Sequence, residues 1–119
     1  MNVSFAGFGK NIATFEAAAA IPAGTPVKMS ANGTVAACAA GDDFCGMVLS
    51  VGRGGDACAV ALGGMVTAGY TVPAEGAAPA LGWSGLSADG EGGVQAAADG
   101  STYLVVDVDT TAKTVTFVL

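Results

Sequence analysis

The stretch "STYLVVDVDTTAKTVTFVL" (residues 101–119) decides the fold class of this chain. Residues 101–108 and 113–119 are rich in β-branched and aromatic side chains and contain few residues that favour helix. The four residues between them, "DTTA", form a natural connection, because the Asp109 carboxylate can accept hydrogen bonds from turn amides. The stretch therefore predicts two strands joined by a tight turn.

The second of these strands alternates with a period of two. Val115, Phe117 and Leu119 share one face, and Thr114 and Thr116 share the other. This pattern predicts a strand whose apolar face turns towards a protein core.

Short apolar segments separated by glycine-rich or Asx-rich turns recur along the chain, as in all-β barrels and sandwiches. Asn32 and Gly33 supply the positive φ values that a tight hairpin needs, and Pro73 and Pro79 indicate a loop over residues 70–82. The predicted fold is all-β, a small barrel, β-tulip-like, or a sandwich with glycine-rich turns. Further strands are predicted at residues 25–30, 34–38, 44–51, 57–62 and 64–68.

Residues 12–24 form the one segment with a helical composition, since alanine has the best helix propensity. Ile12, Thr14 and Glu16 nevertheless alternate with the residues between them, so we favour a strand that runs into a loop. Residues 1–11 are predicted to form an extended N-terminal arm, or a first edge strand. Residues 12–119 are predicted to form a single β domain.

The amino-acid composition limits the classes of function that we expect for this chain. Of the 119 residues, 52% are hydrophobic, 12% are charged and 19 are glycines. Large side chains are scarce, so self-association would add stability to a thin core. The net charge of −6 argues against nucleic-acid binding, which needs clustered Lys or Arg. The sequence has neither a signal-peptide pattern nor an apolar run of membrane-spanning length, so we expect a soluble protein made in a cytoplasm without a membrane partner.

The residue types that carry most catalytic and metal chemistry are sparse. The chain has no histidine, and Cys38, Cys45 and Cys58 lack the spacing of a zinc site. Without histidine, the commonest pairs of nucleophile and base cannot form. Asp107 and Asp109 share a face of a predicted strand, but calcium needs about six to eight oxygen ligands. We therefore expect free thiols, no metal, no cofactor and no enzymatic activity.

The stretch "LSVGRGGDACAVALGG" (residues 49–64) matches the G-x-G-x-x-A pattern of a dinucleotide site. That site needs a helix after its third small residue, Ala57. Gly63 and Gly64 interrupt this segment, and each glycine costs about 1 kcal/mol relative to alanine within a helix. We predict instead a strand, a glycine turn capped by Asp56, and a second strand, with Arg53 at the exposed tip.

The aromatic residues permit two interpretations. Trp83 lies between glycines, and a core or barrel-closing position is favoured over a binding anchor. Phe5 and Phe8 have no large apolar neighbours in sequence, which is consistent with packing against another subunit or a partner. The candidate partner-interface residues are Phe5, Phe8, Lys10, Arg53 and Trp83.

The segment "IPAGTPVKMSANGTVAACAAGDDFCGMVLSVGRGGDACAVALGGMVTAG" (residues 21–69) carries a further pattern: a small residue before "GTPVKM", a turn, "GMVLSV", an alternating strand and "GGMVTAG". This order resembles the small head-decoration, or capsid-stabilising, proteins of tailed bacteriophages, of the lambda type. Residues 101–119 are also similar to the ending of related small phage structural proteins.

The resemblance implies a mostly-β domain that binds the major capsid protein on the outside of the capsid at three-fold positions, commonly as a homotrimer. It also implies an N-terminal arm that orders on the capsid and clamps neighbouring subunits. We therefore expect a non-enzymatic virion protein, made in the host cytoplasm, that stabilises a phage shell. The alternatives are a phage tail-tube or head-fibre component, or a small ligand-binding β-barrel.

Overall fold

Residues 11–74 and 76–119 are described by the computed structural model. Within them the chain forms ten strands and no helix, which confirms the all-β prediction. The strands are β1 (Asn11–Ala17), β2 (Pro26–Ala31), β3 (Thr34–Ala37), β4 (Gly46–Val51), β5 (Ala57–Gly63), β6 (Met65–Gly69), β7 (Gly82–Ala88), β8 (Val94–Ala96), β9 (Ser101–Asp109) and β10 (Thr114–Val118).

The first five strands close into a barrel. Their order is β1-β3-β2-β4-β5, and β5 closes the barrel by pairing antiparallel with both β4 and β1. The interior is filled mainly by β-branched side chains, which suit a pleated and enclosed surface. The buried residues of this cluster are Ile21, Val27, Val35, Val48, Cys58 and Val60.

Two glycines carry the chain from the barrel to a second sheet. β5 ends at Gly63 and β6 begins at Met65. The one residue between them, Gly64, has a φ of +98°, a conformation that residues with side chains rarely adopt. The second sheet has the order β6-β10-β9-β7-β8, and a parallel bridge between Tyr70 and Val94 joins its two edges.

The larger core lies between the barrel and the inner face of the second sheet. Val115 and Phe117 are completely buried in it, which confirms the predicted inward face of β10. Phe44 stacks on Tyr103 with ring centroids 5.1 Å apart, and the Phe117 ring lies tilted against both at 5.8 and 5.4 Å. Three aromatic rings therefore supply much of the bulk that the alanine-rich strands lack.

The turn predictions hold in the C-terminal hairpin and fail in part in the first hairpin. Asp109 Oδ1 accepts the N–H groups of Thr111 and Ala112, each at 3.0 Å, as predicted for "DTTA". Gly33 has a φ of +65°, but Asn32 does not have a positive φ. The expectation of two positive φ values is wrong, because a register shift at the end of β2 alters the geometry of this turn.

The structure decides between helix and strand at residues 12–24. β1 occupies Asn11–Ala17, and Phe15 packs against the core of the barrel. The strand begins at the last residue of the predicted N-terminal arm, and the other residues of that arm lie outside the described part of the chain. β7 and β8 were not predicted, because their glycine, alanine and serine residues carry no clear period.

We expect Gly85→Ala to destabilise the domain. A Cβ atom at position 85 would overlap the backbone oxygen of Ala97, where residues 97–100 pass across β7. Overpacking of this kind costs about 1–3 kcal/mol, which chemical denaturation measures directly.

Gly69→Ala is the matched control for this substitution. Gly69 is also a strand glycine, but the nearest atom to its added Cβ is the Lys113 oxygen at 3.9 Å. Equal destabilisation of the two variants would contradict the close approach of Ala97 to β7.

Candidate interaction surface

The outer face of the second sheet carries a row of apolar side chains. Met65, Val118, Leu104 and Trp83 lie opposite one another on β6, β10, β9 and β7. Residues opposite each other across a ladder project from the same face. With strands about 4.8 Å apart, these four residues span about 14 Å. We call this set the apolar row.

Trp83 ends the apolar row and is the most exposed large apolar side chain among the described residues, at 74%. Leu81, just before β7, is 68% exposed. The interpretation of Trp83 as a core or barrel-closing residue is therefore wrong. On β7, Leu86 is completely buried and Gly82 lies opposite the buried Val105, so these two positions face inward. Because side chains alternate between the two faces of a strand, Trp83 faces outward.

A polar row lies beside the apolar one. Thr67, Thr116 and Asp107 are opposite one another on β6, β10 and β9. The hydroxyl groups of Thr67 and Thr116 share a hydrogen bond of 2.8 Å, and Asp107 is exposed. The outer face therefore changes from apolar to polar between neighbouring rows, with one carboxylate, that of Asp107, in the polar row. Such a face is complementary to a partner with an apolar contact surface and a basic rim.

Sequence reasoning missed three members of the apolar row, Met65, Leu104 and Val118. Each is the sequence neighbour of a residue in the large core. Because side chains alternate between faces along a strand, an apolar residue beside an inward-facing one marks the outer face. That signal was present in the sequence, but the strand pairing that aligns the three residues with Trp83 was not.

The structure does not bring the predicted interface residues together. Phe5, Phe8 and Lys10 lie outside the described residues. Arg53 is exposed in the turn between β4 and β5, at the end of β5 farthest from the second sheet. Seven strand residues span about 20 Å, so Arg53 and Trp83 belong to different surfaces.

The glycine-rich turn does not form a dinucleotide site. Ala57–Gly63 is a strand where the fingerprint requires a helix. Gly54 and Gly55 have φ values of +93° and +76°, and the Gly55 N–H donates to the Gly52 oxygen at 3.0 Å. The predicted order of strand, glycine turn and strand is confirmed. The hydrogen bonds described within this turn are backbone bonds, in place of the predicted Asp56 cap.

A shallow polar depression of about 220 Å³ lies at the edge of the second sheet, with Lys113 on its rim. The Asp89 carboxylate in it accepts the Thr71 hydroxyl at 2.7 Å and the N–H groups of Glu91 and Gly93 at 2.7 and 2.9 Å. Asp89 therefore holds its own loop together. In the part of the chain that the structure describes, no three His, Cys, Asp or Glu side chains are grouped as a metal ion requires.

An ion pair between Lys28 and Asp42, both partly exposed, contributes to the electrostatics of Cys38. The three cysteines, Cys38, Cys45 and Cys58, are free. Lys28 Nζ donates to Asp42 Oδ2, which also accepts the Ala39 N–H at 2.9 Å. This pairing lowers the pKa of Asp42 and raises the pKa of Lys28. Burial, followed by the Asp42 charge, raises the pKa of Cys38 to about 11, and burial raises the pKa of Cys45. Both side chains are therefore neutral thiols at pH 7, which are weak nucleophiles.

No protein family and no curated protein matches this chain. Residues 11–74 and 76–119 contain no helix that is long and apolar enough to cross a membrane.

The feature of the described surface that most resembles a binding site is the apolar row, because it presents a large aromatic side chain on a rigid sheet.

We expect the fluorescence of Trp83 to report an exposed indole. Trp83 is the one tryptophan in the sequence, so its emission needs no deconvolution. Its maximum should lie close to that of free tryptophan in water, and acrylamide should quench it nearly as fast as it quenches N-acetyltryptophanamide. A blue-shifted and poorly quenched emission from the folded protein would contradict the outward position of Trp83.

Alkylation of Cys38 should be slow at neutral pH and should accelerate about tenfold per pH unit up to about pH 11, because the thiolate is the reactive form. Iodoacetamide labelling followed by peptide mass spectrometry measures this rate. Asp42→Asn removes a negative charge that raises the Cys38 pKa, so it should speed labelling at a fixed pH of 8. A rate that levels off below pH 9 in the parent protein would contradict the raised pKa.

Proposed function

We propose that this chain is a non-enzymatic structural protein that binds the outside of a phage capsid and stabilises the shell. The observation that carries the proposal is the apolar row, with Trp83 74% exposed at its end. The resemblance of residues 21–69 to head-decoration proteins supports the same function. On this proposal the protein is made in the host cytoplasm and resides on the exterior of the virion.

Trp83 has the properties of an interface anchor. Tryptophan is enriched among the residues that dominate binding energy, and an aromatic side chain buries about 150–250 Å² in a contact. Covering the exposed part of Trp83 would contribute about 3–5 kcal/mol before the costs of association are subtracted. The β-sheet beneath it keeps that cost low, because the backbone is already ordered.

The proposal includes a homotrimer that contacts the major capsid protein. One apolar row is smaller than the area of about 800 Å² that each partner contributes to a typical stable interface. In a homotrimer, three apolar rows would bind the capsid at the same time. Linking binding sites in this way strengthens attachment without any new type of contact. Asp107, in the polar row, would face a basic residue of the capsid protein.

Binding to expanded shells that lack this protein tests the proposal. Wild-type protein should co-sediment with such shells, raise their resistance to heat, and show a blue shift of Trp83 emission on attachment. Trp83→Ala should reduce the apparent affinity by about tenfold or more, as expected for an anchor residue.

Met29→Ala is the matched control, because Met29 is an exposed apolar residue on β2 of the barrel. It should bind within about twofold of the wild type. Failure of the wild-type protein to bind any shell would overturn the proposal, as would equal losses in both variants. Hexameric rings of the purified protein in negative-stain images would favour a tail-tube component instead.

A further inference from the structure

Three peptide bonds in this chain join an asparagine or an aspartate to a glycine. They are Asn32–Gly33, Asp89–Gly90 and Asp99–Gly100. In such a pair the glycine nitrogen can attack the side-chain carbonyl carbon of the residue before it, because glycine has no Cβ atom to hinder the approach. The attack closes a five-membered imide. Whether a pair reacts therefore depends on how firmly the fold holds the side chain and the nitrogen.

The fold holds the Asp89–Gly90 pair at both ends. The Asp89 carboxylate accepts hydrogen bonds from the Thr71 hydroxyl and from two N–H groups of its own loop. Gly90 packs closely against another segment, since an added Cβ would lie 2.8 Å from the Ala40 nitrogen. Ring closure at this pair would first have to break these contacts.

The Asp99–Gly100 pair is held at its nitrogen. The Gly100 N–H donates to the Ala97 oxygen at 3.1 Å. Gly100 also lies against β7, where an added Cβ would be 2.5 Å from the Leu86 oxygen. The nitrogen would have to leave these positions before it could turn towards the Asp99 carboxylate.

The Asn32–Gly33 pair lies in the turn between β2 and β3, where both of its residues are exposed. The Asn32 backbone oxygen accepts the Thr34 hydroxyl at 3.2 Å, and the Gly33 oxygen accepts the Glu16 N–H at 2.9 Å. These two bonds act on backbone carbonyl groups and restrain neither the Asn32 carboxamide nor the Gly33 nitrogen. Of the three pairs, this one combines solvent access with an amide, which can leave as neutral ammonia.

We propose that Asn32–Gly33 is a site of spontaneous deamidation, with water as the co-reactant. The Gly33 nitrogen gives its proton to solvent base and bonds to Asn32 Cγ, the bond from Cγ to Nδ2 breaks, and Nδ2 takes up a proton and leaves as ammonia. Water then opens the imide. Cleavage between the Gly33 nitrogen and Cγ gives aspartate, and cleavage between that nitrogen and the backbone carbonyl carbon gives isoaspartate. Nothing is oxidised or reduced.

Isoaspartate at position 32 weakens one junction of the barrel. Its main chain runs through Cβ and Cγ, so the turn gains one backbone atom and the Gly33 carbonyl is displaced. That oxygen bonds to the Glu16 N–H beside the ladder between β1 and β3, which has two residue pairs in the described chain. The new carboxylate also adds a negative charge to a chain whose net charge is −6. This inference does not depend on the proposed capsid function.

Ageing of the full chain at mildly alkaline pH tests the proposal, with the folded protein and the chain in guanidinium chloride compared by peptide mass spectrometry. Electron-transfer fragmentation distinguishes isoaspartate from aspartate. Folding should slow isoaspartate formation at Asp89 and Asp99 by about tenfold or more, because hydrogen bonds must break first. Deamidation of Asn32 should proceed within about fivefold of the unfolded rate, as expected for an exposed turn.

Residue-resolved amide exchange by NMR tests the effect on the barrel. In the isoaspartate form the Glu16 N–H should exchange about tenfold faster than in the fresh protein. The Ala17 N–H donates to the Asp56 oxygen at 3.1 Å and should keep its protection, which serves as the internal control.

Two substitutions separate the causes. Asn32→Asp adds the same charge without lengthening the main chain, so the Glu16 N–H should stay protected in the freshly purified variant. Asn32→Gln should lose the deamidation at this position, because a six-membered imide closes much more slowly.

Three results would overturn the proposal. One is an Asn32 that keeps its amide in the folded protein while the unfolded chain loses it under the same conditions. Another is equal slowing of all three pairs by folding. A third is faster exchange of the Glu16 N–H in fresh Asn32→Asp, equal to that in the isoaspartate form, which would assign the effect to charge and not to the longer main chain.

Discussion

The positive φ of Gly64 is the constraint on which both halves of the molecule depend. β5 is a closing strand of the barrel and β6 is an edge of the second sheet, so this one residue sets how the two sheets meet. It turns the chain so that Val66 enters the shared core while Met65 faces outward. The residue before it, Gly63, pairs with Asn11 at the start of β1. A residue with a Cβ would resist the conformation that makes these arrangements possible.

In this domain, backbone segments that pack directly against each other fill space that large side chains would otherwise fill. At Gly46, Gly85 and Gly93 an added Cβ would overlap a backbone oxygen of another segment. Strands and loops can come this near only where no side chain intervenes. The three aromatic rings of the large core supply bulk at one place, and at these glycines the close approach of backbone segments fills the space. This explains how a chain with 19 glycines and few large residues forms a closed barrel and a second sheet packed against it.

The parts of the fold that could be predicted are those where side chains alternate clearly in size and polarity. The hairpin of β9 and β10 was predictable because Val115 and Phe117 alternate with threonines. β7 and β8 were not, since glycine, alanine and serine suit either face of a strand. The orientation of Trp83 depends on the burial of Leu86 and on pairing with Leu104, which only the folded chain defines. The apolar row could not be predicted from the sequence for the same reason: its members come from four strands and become neighbours only when the sheet forms.

Among the described residues, the two edges of the second sheet meet at a single bridge, between Tyr70 and Val94. Each junction of the barrel has at least two paired residues on each strand, whereas the edges of the second sheet share one bridged pair among the described residues. Local opening begins where the fewest bonds must break. We therefore expect the contact between Tyr70 and Val94 to open more readily than the ladders within either sheet. The outer face moves as one piece in such an opening, because its strands stay bonded to each other.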